Sequence, residues 1–334
     1  MDVDAETAAV IERYARFARE EAPGRSALYG EWAAGVADDD ATARILARIP
    51  ATRRQPPLVF AITRMLGAPE DGFGAWAAWL DRHADAVVAE AARRGLQTNE
   101  PQRCAALLPA LATIPGPIAL IEIGASAGLC LYPDRYSYRY RDDRDVVDLD
   151  PADGPSRVRL ECRVTGAPPL RMPEIVWRAG IDLQPLDAAS PEDRAFLRAL
   201  VWPGEEGRAE RVEAALDIVA ADLPRIVAGD AAEPETLRAL IASAPAGIPT
   251  VVTTPGVLPH VPRAGRERIR ATLRGADVTW VTIDPPALDA AWHPPLPIDA
   301  WGGFVLARDA APLASVDPLG AFVEWRAGVE AARR

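Results

Sequence analysis

The sequence predicts an α/β protein in which a doubly wound, mostly parallel sheet follows a helical N-terminal region. Residues 1–115 carry apolar residues at three- and four-residue spacing with charges between them, which is the period of amphipathic helices. Beyond residue 115, short apolar runs typical of buried strands alternate with helical patterns. This alternation favours a parallel sheet with helices on both of its faces.

The predicted elements follow one another in a regular order. The run "PIALIEIG" is the first strand, and residues 132–172 alternate polar and apolar residues around the turn-rich "DPADGPS". We therefore expect an inserted antiparallel β-hairpin at 132–172, with "YSYRYR" and "RVRLECRV" as its strands. Ser190 and Pro191 then open a helix as its N-cap and first residue. The predicted regions are 1–115, helical, and 116–334, which holds the sheet.

The later predicted elements alternate between the two types. The strands are "EIVWRAGIDL", "PRIVAGDA", "PTVVTTPG", "DVTWVTID", "GGFVLAR" and "GAFVEW", and the helices between them include "SPEDRAFLRALVW", "PETLRALIASA" and "GRERIRATLRG".

Composition excludes several classes of function. The 334 residues include no lysine, so all 37 basic residues are arginines. A pyridoxal phosphate Schiff base, a P-loop and a protein-kinase site each need a lysine. The net charge of −11 and the absence of a basic run argue against nucleic-acid binding.

Three cysteines without a C-x-x-C pair predict neither a disulfide framework nor a metal site and favour a reducing, cytoplasmic location. The acidic start of the chain has no apolar signal region, and no apolar stretch is long enough for a membrane span. We therefore expect a cytoplasmic protein with a small-molecule partner, and we keep a homodimer as an open expectation.

Residues 121–130 read "IEIGASAGLC" and fit two different chemistries. The G-x-S-x-G at 124–128 matches the nucleophile elbow of α/β-hydrolases, with Ser126 as nucleophile. With Glu122 two positions before the first glycine, the same letters fit a loop that approaches a nucleotide-like cofactor, in which the glycines allow a tight turn and close approach. In that interpretation the helix expected after the loop offers free N–H groups to an anion.

The hydrolase interpretation makes specific demands. The serine should follow several earlier strands and should precede an acid and a histidine in that order. Here the loop follows the first convincing strand, although His260 or His293, with Asp230 or Asp284, could complete a triad with Ser126. We keep this serine hydrolase as a less favoured alternative.

The loop resembles motif I of class I S-adenosylmethionine-dependent methyltransferases, which have a Rossmann-like fold. That resemblance implies a carboxylate for the ribose hydroxyls at the end of the next core strand, where Asp182 stands, although Asp142 competes for the role. It also implies that Asp230, which ends the third strand, contacts the adenine amino group, and that "TTPGVLPH" faces the substrate. The cofactor site implied for S-adenosylmethionine comprises Asn99, Glu122, Gly124, Ala125, Ser126, Gly128, Asp182 and Asp230.

The chain also resembles a bacterial family known as domain of unknown function 2332. Four stretches carry the resemblance, namely "QTNEPQRCAALLPAL", "IEIGASAGLCLYPDRYSYRY", "WRAGIDLQPLDAASPEDRAFLRALVWP" and "VDPLGAFVEW". The family implies a methyltransferase-like Rossmann fold but no particular reaction. This sequence departs from the family pattern at Cys130, where Asn is usual, and at Thr254 and Leu319, where His is common.

The remaining candidates are expected to face the substrate. Glu100 and Arg103 lie where the helical region approaches the sheet, and a cap or a salt bridge would explain them equally well. Thr254 and His260 follow the fourth core strand, where His260 is a candidate general base. We therefore predict a methyltransferase acting on a small molecule, with Glu100, Arg103, Thr254 and His260 as catalytic candidates. A non-catalytic ligand-binding or regulatory module is the principal alternative.

Overall fold

The computed structural model describes residues 3–143, 145–288, 292–298 and 301–327. Within these residues there are ten α-helices and a single eleven-stranded sheet, in which parallel strand pairs outnumber antiparallel ones. The predicted α/β class with a large, mostly parallel sheet is confirmed. None of the helices in the described part of the chain combines the length and the apolar character that a membrane crossing requires.

The helices fall mainly in the first third of the chain and between the later strands. They are α1 (Val3–Glu20), α2 (Ala27–Asp38), α3 (Asp40–Ala47), α4 (Pro56–Met65), α5 (Phe73–Arg93), α6 (Arg103–Leu111), α7 (Pro191–Ala199), α8 (Arg208–Ala221), α9 (Pro234–Ala242) and α10 (Arg263–Arg274). As predicted, Ser190 caps α7, where its hydroxyl accepts the N–H of Asp193 at 3.4 Å, and Pro191 is the first helical residue.

The strands all lie between residues 117 and 325. They are β1 (Pro117–Ile123), β2 (Ser137–Arg141), β3 (Val146–Leu149), β4 (Arg159–Thr165), β5 (Glu174–Asp182), β6 (Arg225–Ala228), β7 (Thr250–Pro255), β8 (Thr279–Asp284), β9 (Phe304–Arg308), β10 (Ala311–Val316) and β11 (Phe322–Trp325). Their spatial order is β3-β2-β4-β11-β10-β9-β8-β7-β1-β5-β6.

The chain packs as two compact units. Met1–Thr98 and Ser190–Glu213 form one, which holds α1–α5 and α7; Asn99–Ala189 and Ala214–Arg334 form the other, which holds every described strand with α6, α9 and α10. Helix α8 contributes residues to both. Residues 99–115, which the sequence analysis grouped with the helical region, therefore pack in the unit that contains the sheet.

Five parallel strands form one end of the sheet, in the order β6-β5-β1-β7-β8, with β6 at its edge. From β1 the chain builds outward to β5 and β6 and then returns to the other side of β1 for β7 and β8. The order thus reverses between β1 and β7. In open α/β sheets such a switch point, at the carboxyl ends of the strands, is where ligands bind.

The inserted segment differs from the predicted hairpin. Strand β2 forms an antiparallel hairpin with β3, but it pairs in parallel with β4. The prediction that "YSYRYR" and "RVRLECRV" run antiparallel is therefore wrong, because β3 intervenes and turns the chain back before β4 begins. Asp142 follows β2, which six strands separate from β1 in the sheet order, whereas Asp182 ends β5, the direct neighbour of β1.

The expected α-helix after the glycine-rich loop is also absent from the described structure at that point. Residues Leu129–Leu131 form a single 3-10 turn, a second one follows at Pro133–Arg135, and the chain then enters β2. The connection from β1 to β5 thus runs through strands. The prediction that a helix begins directly after the loop and offers its N–H groups to an anion is therefore wrong.

The two faces of β1 lie in different surroundings, because successive side chains on a strand point to opposite faces. Ile121 and Ile123 pack in an apolar cluster with Leu237 and Leu240 of α9 and with residues of α10. Glu122, between them, points to the opposite face.

Candidate functional site

The loop from Gly124 to Gly128 has a strongly bent backbone at the carboxyl end of β1. The φ angles of Gly124, Ser126 and Gly128 are 77°, 50° and 80°, in the left-handed region. Glycine adopts such angles without strain, whereas serine does so at a cost. A non-glycine residue held in this region points to a functional or a firmly enforced structural role for Ser126.

Every backbone N–H group of this loop has an acceptor within the protein. Those of Gly124 and Ala125 donate to Ile181 O at 2.8 and 3.2 Å, Ser126 to Asp182 Oδ2 at 2.9 Å, Ala127 to Asn99 Oδ1 at 3.2 Å, and Gly128 to Ala125 O at 2.6 Å. The loop is therefore held from both sides, by the end of β5 and by the segment that precedes α6.

Asp182 fixes the turn after β5 as well as the loop. Its Oδ2 accepts the N–H of Ser126 and its Oδ1 accepts the N–H of Gln184 at 2.8 Å. The side chain is half-buried. Each carboxylate oxygen retains a second lone pair, so the group can still accept hydrogen bonds from a ligand.

The glycines of the loop allow neighbouring residues to approach closely. A Cβ atom at Gly124 would lie 2.5 Å from Val257 Cγ2, and one at Gly128 would lie 3.1 Å from Pro224. Gly124 therefore permits contact between the loops that follow β1 and β7, across the switch point. The side chain that approaches Gly124 is that of Val257, which occupies the space where a Cβ atom would lie.

Glu122 is the most unusual group in this region. Its side chain is buried, with 4% exposed, and its Oε2 atom has no hydrogen-bond partner among the described residues. Burial raises the pKa of Glu122 well above its ordinary value; the charges of Cys130 and Asp182 add to that effect, whereas Arg103 opposes it. Buried polar atoms are nearly always hydrogen-bonded, so an orphaned carboxylate oxygen here calls for a partner that the chain itself does not supply.

The segment before α6 supplies two of the predicted residues. Asn99 donates from Nδ2 to Ser126 Oγ and accepts the N–H of Ala127. Glu100 is buried and accepts the N–H of Gln102 at 2.9 Å. Asn99 thus holds the loop in place, and Glu100 satisfies a donor at the start of α6.

Arg103 links three parts of the sheet-containing unit. It is the first residue of α6, and its Nε and Nη1 donate to Pro318 O at 3.1 Å and Pro255 O at 3.0 Å. Its guanidinium also lies against Gly256, where a Cβ atom would be 3.3 Å from Nη2. Arg103 has no ion-pair partner among the described residues.

Thr254 lies on β7 and His260 follows that strand, and the two residues lie in different environments. Thr254 is fully buried, where its hydroxyl accepts from Trp280 Nε1 at 2.9 Å and bonds to the Thr282 hydroxyl at 2.7 Å. Its side chain is thus part of the core between β7 and β8. His260 is exposed on a 3-10 turn; partial desolvation of the ring, followed by the positive charge of Arg103, lowers the pKa of His260.

Asp230 lies beyond the end of β6 and is exposed. Its Oδ1 accepts the N–H of Ala232 at 2.8 Å, which is the geometry of an Asx turn. With Glu122 and Asp182, it gives acidic residues at or beside the carboxyl ends of three adjacent strands, β1, β5 and β6.

Two features of this region were missed by sequence reasoning. Leu183, next to Asp182, exposes 72% of its surface, although the apolar pattern of β5 predicts a buried residue. Gly320, with φ +96°, lies so close to Gln102 O that a Cβ atom would be 2.1 Å away. Gln102 and Gly320 belong to two of the stretches that carry the family resemblance, "QTNEPQRCAALLPAL" and "VDPLGAFVEW". The sequence alone did not indicate that these two stretches are in contact.

The serine hydrolase interpretation finds partial geometric support. Ser126 has the left-handed backbone that a nucleophile elbow requires, but its hydroxyl accepts from the amide of Asn99, and no α-helix follows. His83 lies in the other unit, on α5, where its ring stacks on Trp79. A serine nucleophile needs a general base within hydrogen-bond reach, and a carboxamide is not one.

Comparison with known proteins gives one positive result. A protein-family model described as "Uncharacterized protein conserved in bacteria (DUF2332)" matches residues 11–325. The chain belongs to this family. The matched range includes residues of both compact units. Searches of the curated proteins and of the solved structures found no match to this DUF2332 member.

Proposed function

We propose that this chain binds S-adenosylmethionine at the carboxyl ends of β1, β5 and β6 and uses it to methylate a small molecule. The observation that carries the proposal is Glu122, a buried carboxylate with an unpartnered oxygen at the topological switch point. A buried carboxyl group with an unpartnered oxygen is costly unless a donor or a cation satisfies it. The ammonium group of the cofactor's methionyl moiety is such a partner.

The acceptors of the site match the donors of this cofactor. S-adenosylmethionine offers an ammonium group, two ribose hydroxyls and an adenine amino group, and Glu122, Asp182 and Asp230 are acceptors at the ends of three neighbouring strands. The exposed Leu183 beside Asp182 offers an apolar surface for a flat base. Because the loop N–H groups are already paired, these side chains rather than the backbone would carry recognition.

When bound, the cofactor supplies an electrophilic methyl group. The residues of this chain would contribute orientation and proton handling, since positioning alone accounts for a large share of rate enhancement. Asn99 and Asp182 hold the loop rigid from two sides. His260, whose lowered pKa keeps its ring neutral at pH 7, can accept a proton from an oxygen or nitrogen nucleophile.

Calorimetric titration with S-adenosylmethionine and S-adenosylhomocysteine tests the proposal. We expect micromolar binding to the wild type and a loss of about tenfold or more in Glu122→Gln, which removes the charge but not the bulk. Glu161→Gln is the matched control, because Glu161 is an exposed residue on β4 of the same sheet. Absence of binding to the wild type would contradict the proposal.

Two outcomes separate the alternatives. Cofactor binding without methyl transfer to any acceptor in a broad small-molecule screen would favour a non-catalytic binding module. Labelling of the wild type by a fluorophosphonate, lost in Ser126→Ala, would instead favour the serine hydrolase.

A further inference from the structure

We propose that Arg103, on the β7 side of the switch point, binds a carboxylate group of the substrate. The inference rests on the proposed function, which it deepens by naming the chemical class of the methyl acceptor. It is carried by a cation that the chain positions firmly and that forms no ion pair with the described residues.

The position of Arg103 is fixed by backbone groups rather than by carboxylates. Two of its nitrogens donate to Pro255 O, at the end of β7, and to Pro318 O, in the turn between β10 and β11, and neither acceptor carries a charge. Asp and Glu outnumber Arg by 48 to 37 in this chain, yet no described carboxylate forms an ion pair with Arg103. A planar guanidinium held in this way is preorganised to meet a planar, bidentate anion.

The space beside Nη2 is kept small and neutral. Gly256 lies next to it, where a Cβ atom would be 3.3 Å away, and the left-handed φ of Gly256, +74°, disfavours any other residue. Nε has one N–H group and Nη1 has two, so the two carbonyls leave both N–H groups of Nη2 and one of Nη1 for a bidentate ligand.

Arg103 and the acidic residues proposed to bind the cofactor lie on different sides of the switch point. Glu122, Asp182 and Asp230 belong to β1 and to strands on one side of it, whereas Arg103 is bound to the loop after β7, on the other side. Arg103 lowers the pKa of both Glu122 and His260, so its field reaches across the switch point. An anionic group beside Arg103 would bring an attached nucleophile near His260, the candidate base.

His260 also provides a direct reporter, because the chain has only three histidines. We would follow the three imidazole signals by NMR in the full-length protein while adding benzoate, with benzamide as the uncharged match. Benzoate bound at Arg103 should raise the pKa of His260, because it offsets the cation that now lowers it. The signal of His83, in the other unit, should stay unchanged.

Two variants distinguish the site from its surroundings. In Arg103→Gln we expect a raised pKa of His260 and no response to benzoate, whereas Arg103→Lys, which keeps the charge, should retain a weaker response. Unchanged signals of both His83 and His293, one in each compact unit, show that a variant is folded. A lack of benzoate response in the wild type, or an equal response to benzamide, would overturn the inference.

A parallel titration with S-adenosylhomocysteine separates the two proposals. If Arg103 serves the substrate, Arg103→Gln should change the affinity for S-adenosylhomocysteine by no more than about twofold. A loss of about tenfold or more would assign the cation to the cofactor and overturn the inference while leaving the proposed function intact. Failure of the wild type to bind S-adenosylhomocysteine, with the benzoate response preserved, would instead defeat only the proposed function.

Discussion

The ends of β1 and β7 lie side by side in the sheet, but one has an acidic group and the other a cationic group that is incompletely paired. At β1 the loop N–H groups are all paired, and one buried carboxylate, Glu122, has an unpartnered oxygen. At β7 the hydroxyl of Thr254 is paired within the core, and one cation, Arg103, has no ion-pair partner among the described residues. The residues of the glycine-rich loop thus maintain the structure, whereas Glu122 and Arg103, whose polar groups are less fully paired, flank the loop.

The largest expected effect tests whether the close contact between the loops after β1 and β7 stabilises the protein. Gly124→Ala places a Cβ atom 2.5 Å from Val257 Cγ2, at a φ of +77°. Overpacking and left-handed strain should together lower the free energy of unfolding by about 2–4 kcal/mol. Thermal or urea unfolding measures the change.

Gly116→Ala is the matched control for that variant. Its φ of +75° is nearly the same, but no heavy atom lies within 4 Å of the added Cβ. It should therefore cost only the strain, about 1–2 kcal/mol. Equal losses in the two variants would show that the close approach of the two loops contributes nothing.

The next effect concerns the clamp between β5 and the β1 loop. Asp182→Asn replaces one of two acceptor oxygens by a donor that faces an N–H group, of either Ser126 or Gln184. We expect a loss of about 2 kcal/mol in the free energy of unfolding. Asp148→Asn, at an exposed site on β3, should change it by less than about 0.5 kcal/mol; a similarly small effect at Asp182 would contradict the clamp.

A smaller effect tests whether Thr254, near the end of β7, stabilises the core or binds a ligand. Thr254→Val removes the acceptor of the Trp280 indole N–H and should destabilise the protein by about 1–2 kcal/mol. The affinity for a ligand should be unaffected, because the hydroxyl is buried between β7 and β8. Thr250→Val, on the same strand but only half-buried, is the control, and a selective loss of ligand affinity in Thr254→Val would return Thr254 to the site.

The smallest expected effect depends on pH. Because the folded-state pKa of Glu122 is raised, the folded protein holds a proton that the unfolded chain releases, so stability falls as pH rises above the ordinary glutamate range. Glu122→Gln cannot ionise and should become the more stable protein by about 1 kcal/mol at high pH. Melting curves from acid to mildly alkaline pH should show that the stability advantage of Glu122→Gln over the wild type grows with pH, whereas Glu161→Gln shows no such advantage. An advantage that shrinks as pH rises would contradict the raised pKa of Glu122.

Local patterns predicted most of the core strands and several helices. The continuous apolar run of β1 and the Ser190-Pro191 start of α7 are short-range signals, and the structure confirms both. Pairing direction is not a local property, which explains why "YSYRYR" and "RVRLECRV" were predicted to run antiparallel. The direction depends on β3, a strand of four mostly exposed residues, "VVDL", which is too short to show the alternation of a half-buried strand.

Glycine spacing identified the loop but not how it is held. That Ser126 donates its N–H to Asp182 and accepts from Asn99 depends on contacts between residues far apart in sequence. Sequence reasoning did select Glu122, from its position before the first glycine. Its unpartnered oxygen could not be predicted, since that depends on every residue packed around it.

A crystal structure of the protein with S-adenosylhomocysteine would test the central claim most directly. We predict that the ligand's amino group lies within hydrogen-bond distance of Glu122 Oε2 and its ribose hydroxyls within reach of Asp182, with the guanidinium of Arg103 left free for a second molecule. Ligand density elsewhere in the molecule, with Glu122 still without a partner, would contradict the account.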